Sequence, residues 1–399
     1  MKPIFNSLGS SYDFSFVTHA LSELIHSDRE APQRLTAELE KMFGGKTHLF
    51  YKGRDAIEFA LKSYGIESGD EVLIQGFTCY AIEQAVLRTG ATPVFVDVGK
   101  NNLNVTLDSL KNAHKNTTKA KAVLVQYTLG SPIGISQIKE WCEENKLLLI
   151  EDLAQSLGAT DEKGTSLGTY GDAVVLSFGR GKVVDAVSGG AVILRREGAR
   201  EIKVTDTVRK AIIVKDMLYP LTAWKVRKTY KILLGPLILR ISRKLGLVTS
   251  ATGSPTKNVT LMPEEHASLA LSELGKLKNT LRHRKKIAEI YYQEIQDKSS
   301  IITSQSDIEH GSNLRFALRV DKPAELLRLM DKKGIHIWDR WYRAAVDCGT
   351  LSVSSVYKNG TTPNAEELAI HIVNLPTHKE VRERDAMRIS KVVNQYLDK

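Results

Sequence analysis

An aspartate and a lysine stand where two predicted strands end. Asp152 follows the apolar run Leu147–Ile150, and Lys182 follows a second apolar run, Ala173–Leu176. A lysine amine can hold an aldehyde as an imine, and a buried carboxylate can keep a ring nitrogen protonated, because each partner stabilises the charge of the other. Pyridoxal phosphate is the cofactor that requires such a pair. Taken singly, a solvated loop lysine and an aspartate that caps a helix are the alternative interpretation.

Four neighbouring features strengthen the cofactor interpretation. Gly53 lies in a turn directly before a predicted helix, whose free amide groups and dipole favour a phosphate, although a plain turn with Asp55 as helix cap is the alternative. Gln155 could donate to the cofactor's phenolic oxygen, or be a surface amide. Ser177 could donate to the phosphate, or simply end a strand as a turn former. Gly189–Gly190 permits a close backbone approach near the lysine.

The composition indicates a globular enzyme with two domains. With 399 residues, of which 42% are hydrophobic, the chain can form one large domain and a smaller one. Its cysteines, Cys79, Cys142 and Cys348, are widely spaced, which favours a reducing cytoplasm and indicates no metal site. The N-terminus lacks the pattern of a signal peptide, and no run approaches the ~20 apolar residues of a spanning helix. We therefore expect a cytoplasmic protein that is not integral to a membrane.

Short apolar runs alternate with segments of helical length between residues 46 and 194. The predicted strands are Glu71–Ile74, Thr92–Val96, Lys121–Val125, Leu147–Ile150, Ala173–Ser177 and Ala191–Leu194. The predicted helices are Asp55–Tyr64, Tyr80–Arg88 and Ile135–Glu144. Strands separated by helices predict an α/β fold with a mainly parallel sheet that is covered on both faces. Ligands bind at the carboxyl ends of such strands, where Asp152 and Ser177 would lie.

The C-terminal part predicts a second, smaller α+β domain. An apolar residue recurs at spacings of three and four from Ala267 to Leu281, which predicts one long amphipathic helix that continues to Tyr291. A strand over Asn313–Val320, a helix over Pro323–Lys333 and a last helix over Arg384–Leu397 follow. We place the large domain at residues 1–250, with a basic insertion at 203–250, and the small domain at 251–399.

Several segments together have the pattern of a known family. They are Gly53–Ile57, Gly69–Val72, Gly90–Asp97, Ile150–Ala159, Gly171–Asp172, Ser177–Phe178, Lys182 and Gly189–Gly190. Ala267–Tyr292 looks like that family's helix between the domains, and Asn374–His378 like its late strand. On these segments the chain resembles the DegT/DnrJ/EryC1/StrS family, the pyridoxal-phosphate sugar aminotransferases of the fold-type I class. The resemblance covers most of residues 35–395.

The resemblance implies a fold-type I homodimer with active sites at the subunit interface, and a large domain with a mainly parallel seven-stranded sheet. Lys182 would bind the cofactor covalently and act as general base and acid. Asp152 would hold the ring nitrogen, and Gln155 would contact the phenolic oxygen. The phosphate would be bound by Gly53, Arg54 and Ser177, and Asp55 is a further expected cofactor-binding residue. The implied reaction transfers an amino group from glutamate to the keto carbon of a nucleotide-linked sugar.

Three positions depart from the family pattern. Arg54 stands where a small hydroxyl residue is usual, and a guanidinium can bind phosphate at least as well. Cys79 stands where an aromatic residue often stacks on the cofactor ring, so that Phe77 and Tyr80 are further candidates for covering it. Asn258, which resembles a phosphate contact made to the partner chain, is displaced by one residue.

A basic segment interrupts the resemblance over residues 209–247. The chain has a formal charge of +10, and residues 201–250 contain eleven Lys or Arg against three Asp or Glu, a local charge of +8. Pro220 and Pro236 are predicted to divide the segment into short helices. In the last helix one predicted face carries Leu237, Ile238, Ile241 and Leu245, and the other carries Arg240, Arg243 and Lys244.

This basic insertion suits a peripheral contact with an anionic membrane, with Tyr219, Trp224 and Tyr230 as interfacial aromatics. Packing on the protein's own surface or at a dimer interface is the alternative. We expect no nucleic acid partner, because the segment lacks a recognisable binding fold.

The sequence thus predicts a pyridoxal-phosphate aminotransferase for a nucleotide-linked keto sugar, in the synthesis of a surface polysaccharide or glycoconjugate. A transaminase for a non-sugar keto compound, and a catalytically idle, membrane-docked regulator that binds the cofactor, are the alternatives. Some relatives that carry histidine in place of Lys182 perform dehydration, so this lysine favours transamination. Arg315, Arg340 and Tyr342 are candidate substrate contacts, with surface or core-edge roles as the alternative.

Overall fold

The structure is a computed structural model that describes residues 3–232, 234–244, 246, 258–338, 340–349 and 354–398. Within these ranges the strands are β1 Ile4–Phe5, β2 Lys46–Phe50, β3 Glu71–Gln75, β4 Thr78–Cys79, β5 Thr92–Val96, β6 Ala120–Gln126, β7 Leu148–Asp152, β8 Ala173–Ser177, β9 Gly190–Leu194, β10 Arg315–Arg319, β11 Ile335–His336, β12 Val346–Asp347 and β13 Ile372–Pro376. The α-helices are α1 Phe14–Glu23, α2 Ala31–Phe43, α3 Gly53–Ser63, α4 Tyr80–Leu87, α5 Leu107–His114, α6 Ile135–Glu144, α7 Lys210–Thr229, α8 Leu234–Lys244, α9 Glu264–Leu274, α10 Leu277–Glu294, α11 Gln305–His310, α12 Pro323–Lys332, α13 Pro363–His371 and α14 Glu383–Leu397.

Seven strands form one sheet in the order β2, β9, β8, β7, β6, β3, β5. From β8 to β5 neighbouring strands are parallel, whereas β9 is antiparallel to both β8 and β2. The predicted α/β class with a mainly parallel, seven-stranded sheet is confirmed, and the six strands predicted from the sequence all lie in it. The sequence prediction missed β2, because this edge strand contains the polar residues Lys46, Thr47 and His48.

The parallel strands end at one edge of the sheet, and the predicted site residues lie there. Gln126 pairs with Asp152 in the ladder of β6 and β7. Ser177 pairs with Gly190 where β8 meets β9. The helix α3 begins at Gly53, shortly after β2 ends. This edge is therefore where a ligand of an open α/β sheet is expected.

Helices cover both faces of the sheet, and alternate residues of the central strands point to opposite layers. Val123 and Leu149 pack in the core formed with α1, α2, α6 and α9. Leu124 and Ile150 pack in the core formed with α3 and α4. Burial on two sides explains why these strands are continuous apolar runs in the sequence.

The long helix predicted from Ala267 to Tyr291 is divided in the structure at Gly275, so that prediction is wrong. Gly275 ends α9, and glycine has a low helix propensity. The buried Ala267 of α9 packs in the core of the sheet, whereas Ile287 and Tyr291 of α10 pack in a separate C-terminal core with α12 and α14. The two helices thus serve different cores. The domain boundary near residue 250 remains our proposal.

The basic insertion forms α7 and α8. The helix α7 continues through Pro220, so the prediction that this proline ends a helix is wrong. A proline removes one backbone hydrogen bond, but the buried Tyr219 and Ala223 anchor the helix beside it. Pro236 lies in the first turn of α8, where the missing amide hydrogen is tolerated. The predicted apolar position Leu245 lies outside the described residues.

The helix α7 packs on the N-terminal segment. Arg227 donates to the carbonyl oxygens of Gly9 and Tyr12, and the rings of Tyr12 and Tyr219 meet edge-on with centroids 6.0 Å apart. Tyr219 is only 4% exposed, which contradicts its predicted role as an interfacial aromatic. No helix in the described part of the chain combines the length and the hydropathy that crossing a bilayer requires.

Candidate active site

A cavity of about 620 Å³ opens at the carboxyl edge of the sheet. Its walls come from the N-terminal segment, the strand ends, the loop between β8 and β9, the insertion and the C-terminal part. Seven of the sequence-predicted cofactor residues line it, namely Gly53, Arg54, Cys79, Asp152, Gln155, Ser177 and Lys182. The candidate substrate contacts Arg315, Arg340 and Tyr342 line it as well. The structure therefore brings together residues that are far apart in the sequence.

The two acids at the end of β7 have different surroundings, because neighbouring residues of a strand point to opposite faces. Glu151 points away from the cavity and accepts from the backbone amides of Gly168, Tyr170 and Gly171, at 2.8, 2.8 and 2.6 Å. Asp152 lines the cavity, where its Oδ1 accepts from the amide of Ala154 at 2.8 Å. Burial raises the pKa of Asp152, while this amide and the charge of Lys182 oppose the increase. A bound cation at Asp152 would therefore be strongly favoured.

The loop that carries Lys182 is held by its own hydrogen bonds. The carboxylate of Asp185 accepts from the amide of Gly181 at 2.7 Å and from the hydroxyl of Tyr12 at 2.6 Å. The amide of Lys182 donates to the carbonyl of Gly179 at 3.2 Å. Such a closed loop fixes the backbone from which the lysine side chain enters the cavity, and burial raises the pKa of Asp185 to about 6.

The amine of Lys182 lies near an aromatic wall. Its Nζ is 5.0 Å from the centroid of the Trp341 ring, and the guanidinium of Arg315 is 5.6 Å from the same centroid. Two cations therefore face one indole ring from inside the cavity, which is a favourable cation–π arrangement.

Three backbone segments approach one another at Gly53. A Cβ atom added to Gly53 would lie 2.9 Å from the Cβ of Ser177, and one added to Gly190 would lie 2.6 Å from the Cα of Gly53. Only glycine permits this closeness. The N-cap residue of α3, Lys52, makes no side-chain cap hydrogen bond, and the dipole at this helix N-terminus favours an anion.

Gln155 connects the sheet edge to the C-terminal part. Its Oε1 accepts from the amide of Leu129 at 2.8 Å, and its Nε2 donates to the hydroxyl of Tyr342 at 2.5 Å. A primary amide has two N–H groups, so Nε2 retains one donor for a ligand. The ring of Phe77 packs edge-on against Tyr342 with centroids 5.2 Å apart. Phe77 is fully buried and does not line the cavity, whereas Cys79 does.

Three predicted cofactor residues lie outside the cavity wall. Asp55 points into the protein, where its Oδ1 accepts from Arg88 at 3.1 Å. Tyr80 begins α4 beside the cavity without lining it. Asn258 is exposed, and its Nδ2 donates to Asp206 at 2.7 Å.

Several lining residues were not predicted as site residues from the sequence. They are Lys52, Arg180, Asp185, Tyr219, Arg243 and Trp341. Lys52 and Arg180 lie one and two residues from the predicted Gly53 and Lys182, so their positive charge beside these motifs was a usable signal. Nothing in the local sequence of Tyr219, Arg243 or Trp341 indicates that they reach the same cavity.

The donor set fits pyridoxal phosphate. A glycine cradle at an uncapped helix N-terminus suits the phosphate, and the cations of Lys52 and Arg54 flank it. Asp152 has the buried carboxylate that a protonated ring nitrogen requires, and Lys182 has the amine. The two lie in one cavity whose volume matches those of small-molecule sites.

Comparison with known proteins agrees with this geometry. The profile described as the DegT/DnrJ/EryC1/StrS aminotransferase family matches residues 22–210 and 240–394. The chain is similar to a GDP-perosamine synthase of Vibrio cholerae, with 34% identity over 141 residues, which is 35% of this chain and 38% of that protein. It is also similar to a pleiotropic regulatory protein of Geobacillus stearothermophilus, with 23% identity over 347 residues, 86% of this chain and 83% of that protein.

The fold matches that of solved structures over its whole length. The crystal structure of DesV from S. venezuelae superimposes with a TM-score of 0.75 at 21% identity and covers 100% of both chains. At this identity the likeness concerns the fold alone. The chain spans about two fifths of the length of the curated relatives that it first matches.

Proposed function

The chain belongs to the DegT/DnrJ/EryC1/StrS aminotransferase family, and from this premise we propose that it is a pyridoxal-phosphate-dependent aminotransferase. It would transfer an amino group from glutamate to the keto carbon of a nucleotide-linked sugar, for a surface polysaccharide or glycoconjugate. The observation that carries the proposal is the presence of Lys182, Asp152 and the glycine cradle in one cavity.

Three residues of the cavity, Asp152, Lys182 and Gln155, have distinct roles in the proposed reaction. When bound, pyridoxal phosphate supplies an electron-withdrawing ring that stabilises negative charge on the carbon next to the amino group. Asp152 keeps the ring nitrogen protonated, because burial makes an isolated carboxylate unfavourable and a cation beside it favourable. Lys182 holds the cofactor and then moves a proton with its Nζ, as general base and acid. Gln155 fixes the phenolic side of the ring through its remaining N–H.

The charge of the cavity supports anionic substrates. Its cations are Lys52, Arg54, Arg180, Lys182, Arg243, Arg315, Arg340 and Arg343, against the acids Asp152, Asp185 and Asp347. A nucleotide diphosphate and the two carboxylates of glutamate each favour such an excess of guanidinium groups. The name of the similar GDP-perosamine synthase also supports a nucleotide-sugar substrate.

The cofactor link can be tested by borohydride reduction and peptide mapping. We expect the pyridoxyl adduct on Lys182 in the wild type and no such adduct in Lys182→Ala. The variant Lys163→Ala, which removes an exposed lysine, serves as the matched control and should keep the adduct. An adduct on another lysine, or none, would contradict the proposed function.

The amino donor and the acceptor need separate tests. Glutamate should convert the cofactor absorbance of the purified protein to that of the pyridoxamine form, and a set of keto sugar nucleotides should reverse the change. If a non-sugar keto compound reverses this absorbance change faster than the keto sugar nucleotides do, the alternative of a transaminase for a non-sugar substrate would be favoured.

A regulatory role is the second candidate, and the similarity to a pleiotropic regulatory protein is the observation that favours it. A cofactor-binding regulator need not convert its cofactor with glutamate, whereas an aminotransferase must. Cofactor binding without any conversion by glutamate or glutamine would therefore support the regulator.

We also propose a homodimer that completes the active site. Asn258 is exposed and does not line its own cavity, which suits a contact with the partner's cofactor. Sedimentation equilibrium should give twice the chain mass. A monomer that binds and converts the cofactor would contradict this part of the proposal.

The last part of the proposed function is a peripheral contact of the protein with the inner face of the membrane. The helix α8 exposes 44% of Leu234, 53% of Leu237 and 48% of Ile241, with Arg240 and Lys244 beside them. An exposed apolar stripe bordered by cations suits an anionic bilayer surface. In flotation with anionic liposomes, we expect Leu237→Asp to sink while wild type floats. Equal recovery of both in the bottom fraction would refute the membrane contact.

A further inference from the structure

One acid of the basic insertion lies inside the protein. Asp216 is the only Asp or Glu of α7, and it is only 7% exposed. The hydroxyl of Tyr51 donates to its Oδ2 at 2.6 Å, and the Nε2 of His266 lies 3.1 Å from the same oxygen. The Nη2 of Arg180 is 3.7 Å from its Oδ1. One carboxylate thus joins three segments that are distant in the sequence.

Two of these segments form the cavity wall. Tyr51 directly precedes Lys52 and Gly53, and the Nζ of Lys52 lies 4.3 Å from the centroid of the Tyr51 ring. Arg180 belongs to the loop of Lys182, and its guanidinium lies 4.0 Å from the centroid of the Tyr219 ring, which is also on α7. Lys52 and Arg180 both line the cavity. The helix α7 therefore packs against the outer side of the cavity wall that Lys52 and Arg180 form at the proposed phosphate end of the site.

We infer that Asp216 is a positioning residue, which holds Lys52 and Arg180 as cations at the phosphate end of the cavity. The basic insertion would then be a structural part of the active site, in addition to any contact made by α8. The inference rests on the proposed function, since it takes the bound anion to be the phosphate of the cofactor.

The charges around Lys52 support this role. Burial, together with the neighbouring cations Arg180 and Arg54, lowers the pKa of Lys52 to about 8, and the charges of Asp216 and Asp55 oppose this decrease. An anion nearby favours the protonated amine. Lys52 therefore changes its charge in a pH range where the folded protein can be assayed.

The carboxylate of Asp216 stays ionised over the same range. Burial alone would raise its pKa, but the hydrogen bond and charge of His266, the charge of Lys52 and the hydrogen bond of Tyr51 lower it to about 2. The variant Asp216→Asn removes this charge and keeps the shape of the side chain. It should lower the pKa of Lys52 further, so that the amine loses its proton at a lower pH.

The test is the dissociation constant of the cofactor at two pH values. For Asp216→Asn we expect binding of pyridoxal phosphate to weaken roughly tenfold relative to wild type at pH 9, and by clearly less at pH 6.5, because Lys52 is protonated in both proteins at the lower pH. Pyridoxal, which lacks the phosphate, should show no such difference. Asp321→Asn, at an exposed aspartate, is the matched control and should behave as wild type.

A double-mutant cycle tests the coupling directly. In a Lys52→Gln background, the pH-dependent part of the effect of Asp216→Asn should disappear, because no amine remains to titrate. Lys52→Gln alone also decides the case if Asp216→Asn fails to fold. An unchanged pH profile of phosphate binding in Lys52→Gln would refute the inference.

The outcomes separate this inference from the proposed function. If the wild type binds no pyridoxal phosphate, the proposed function fails. If wild type binds it and the ratio of the two dissociation constants for Asp216→Asn is equal at both pH values, only the role of Asp216 fails. A drop in melting temperature without a change in this ratio would indicate a merely structural acid.

Discussion

Adding one methyl group at Gly53 should weaken phosphate binding while leaving the protein folded. The Cβ of Gly53→Ala would lie 2.9 Å from the Cβ and 3.1 Å from the Oγ of Ser177. Both distances are shorter than ordinary van der Waals contact, so α3 and the end of β8 must move apart. The cradle between the helix N-terminus and Ser177 would then widen by a few tenths of an ångström, roughly the overlap to be relieved.

The substitution Gly53→Ala should change the free energy of unfolding and the free energy of cofactor binding for different reasons. Overpacking of this kind costs about 1–3 kcal/mol, whereas alanine gains up to about 1 kcal/mol over glycine within a helix. The free energy of unfolding should therefore fall by at most about 3 kcal/mol. The phosphate, in contrast, loses hydrogen bonds to a charged group that are worth about 1.5–3 kcal/mol. This corresponds to a cofactor dissociation constant that is roughly 10- to 150-fold higher.

The assay is a spectroscopic titration of the apoprotein with pyridoxal phosphate and with pyridoxal. We expect Gly53→Ala to lose affinity for the first ligand and little for the second. Gly275→Ala is the control, since the nearest atom to its added Cβ is an ordinary 3.5 Å away. An affinity of Gly53→Ala for pyridoxal phosphate within twofold of wild type would refute the assignment of Gly53 to the phosphate cradle.

Three further predictions concern buried carboxylates. Glu151→Gln should lower the free energy of unfolding by about 2–3 kcal/mol in denaturant titrations, because an amide N–H₂ cannot accept from the backbone amides that Glu151 binds; Asp152→Asn should instead abolish cofactor conversion with a smaller loss of stability. Burial raises the pKa of Asp185 from 3.8 to about 6, so its ionisation between these values should cost about 3 kcal/mol of stability as pH rises. That part of the pH dependence should be missing in Asp185→Asn, and identical pH profiles of the two proteins would contradict it.

Local patterns predicted the sheet and the centre of the site. The strands β5 and β8 have the bounds expected from their apolar runs, and β3, β6, β7 and β9 differ from expectation by one or two residues. Parallel strands end at a common edge, so residues that follow separate strands could be assigned to one cavity. This is why Asp152, Ser177 and Lys182 could be grouped without coordinates.

Contacts across the fold could not be predicted in the same way. Tyr342 meets Gln155 from the C-terminal part, and Trp341 meets Lys182, although both aromatics follow a segment with no distinctive pattern. Their positions depend on how the C-terminal part packs on the sheet. The edge strand β2 was missed for a different reason, since an exposed edge tolerates polar residues that conceal its period.

The composition of the basic insertion does not indicate which of its side chains point into the protein. Its local charge of +8 favoured a surface that binds anionic lipid, and this interpretation treats all its residues as equivalent. In the structure Asp216 and Tyr219 of α7 turn inward toward Arg180, while Leu237 and Ile241 of α8 stay exposed. The helices α7 and α8 therefore lie in different environments, and one variant on each helix tests the two proposed roles separately. Asp216→Asn should change phosphate binding without changing liposome recovery, and Leu237→Asp should do the reverse.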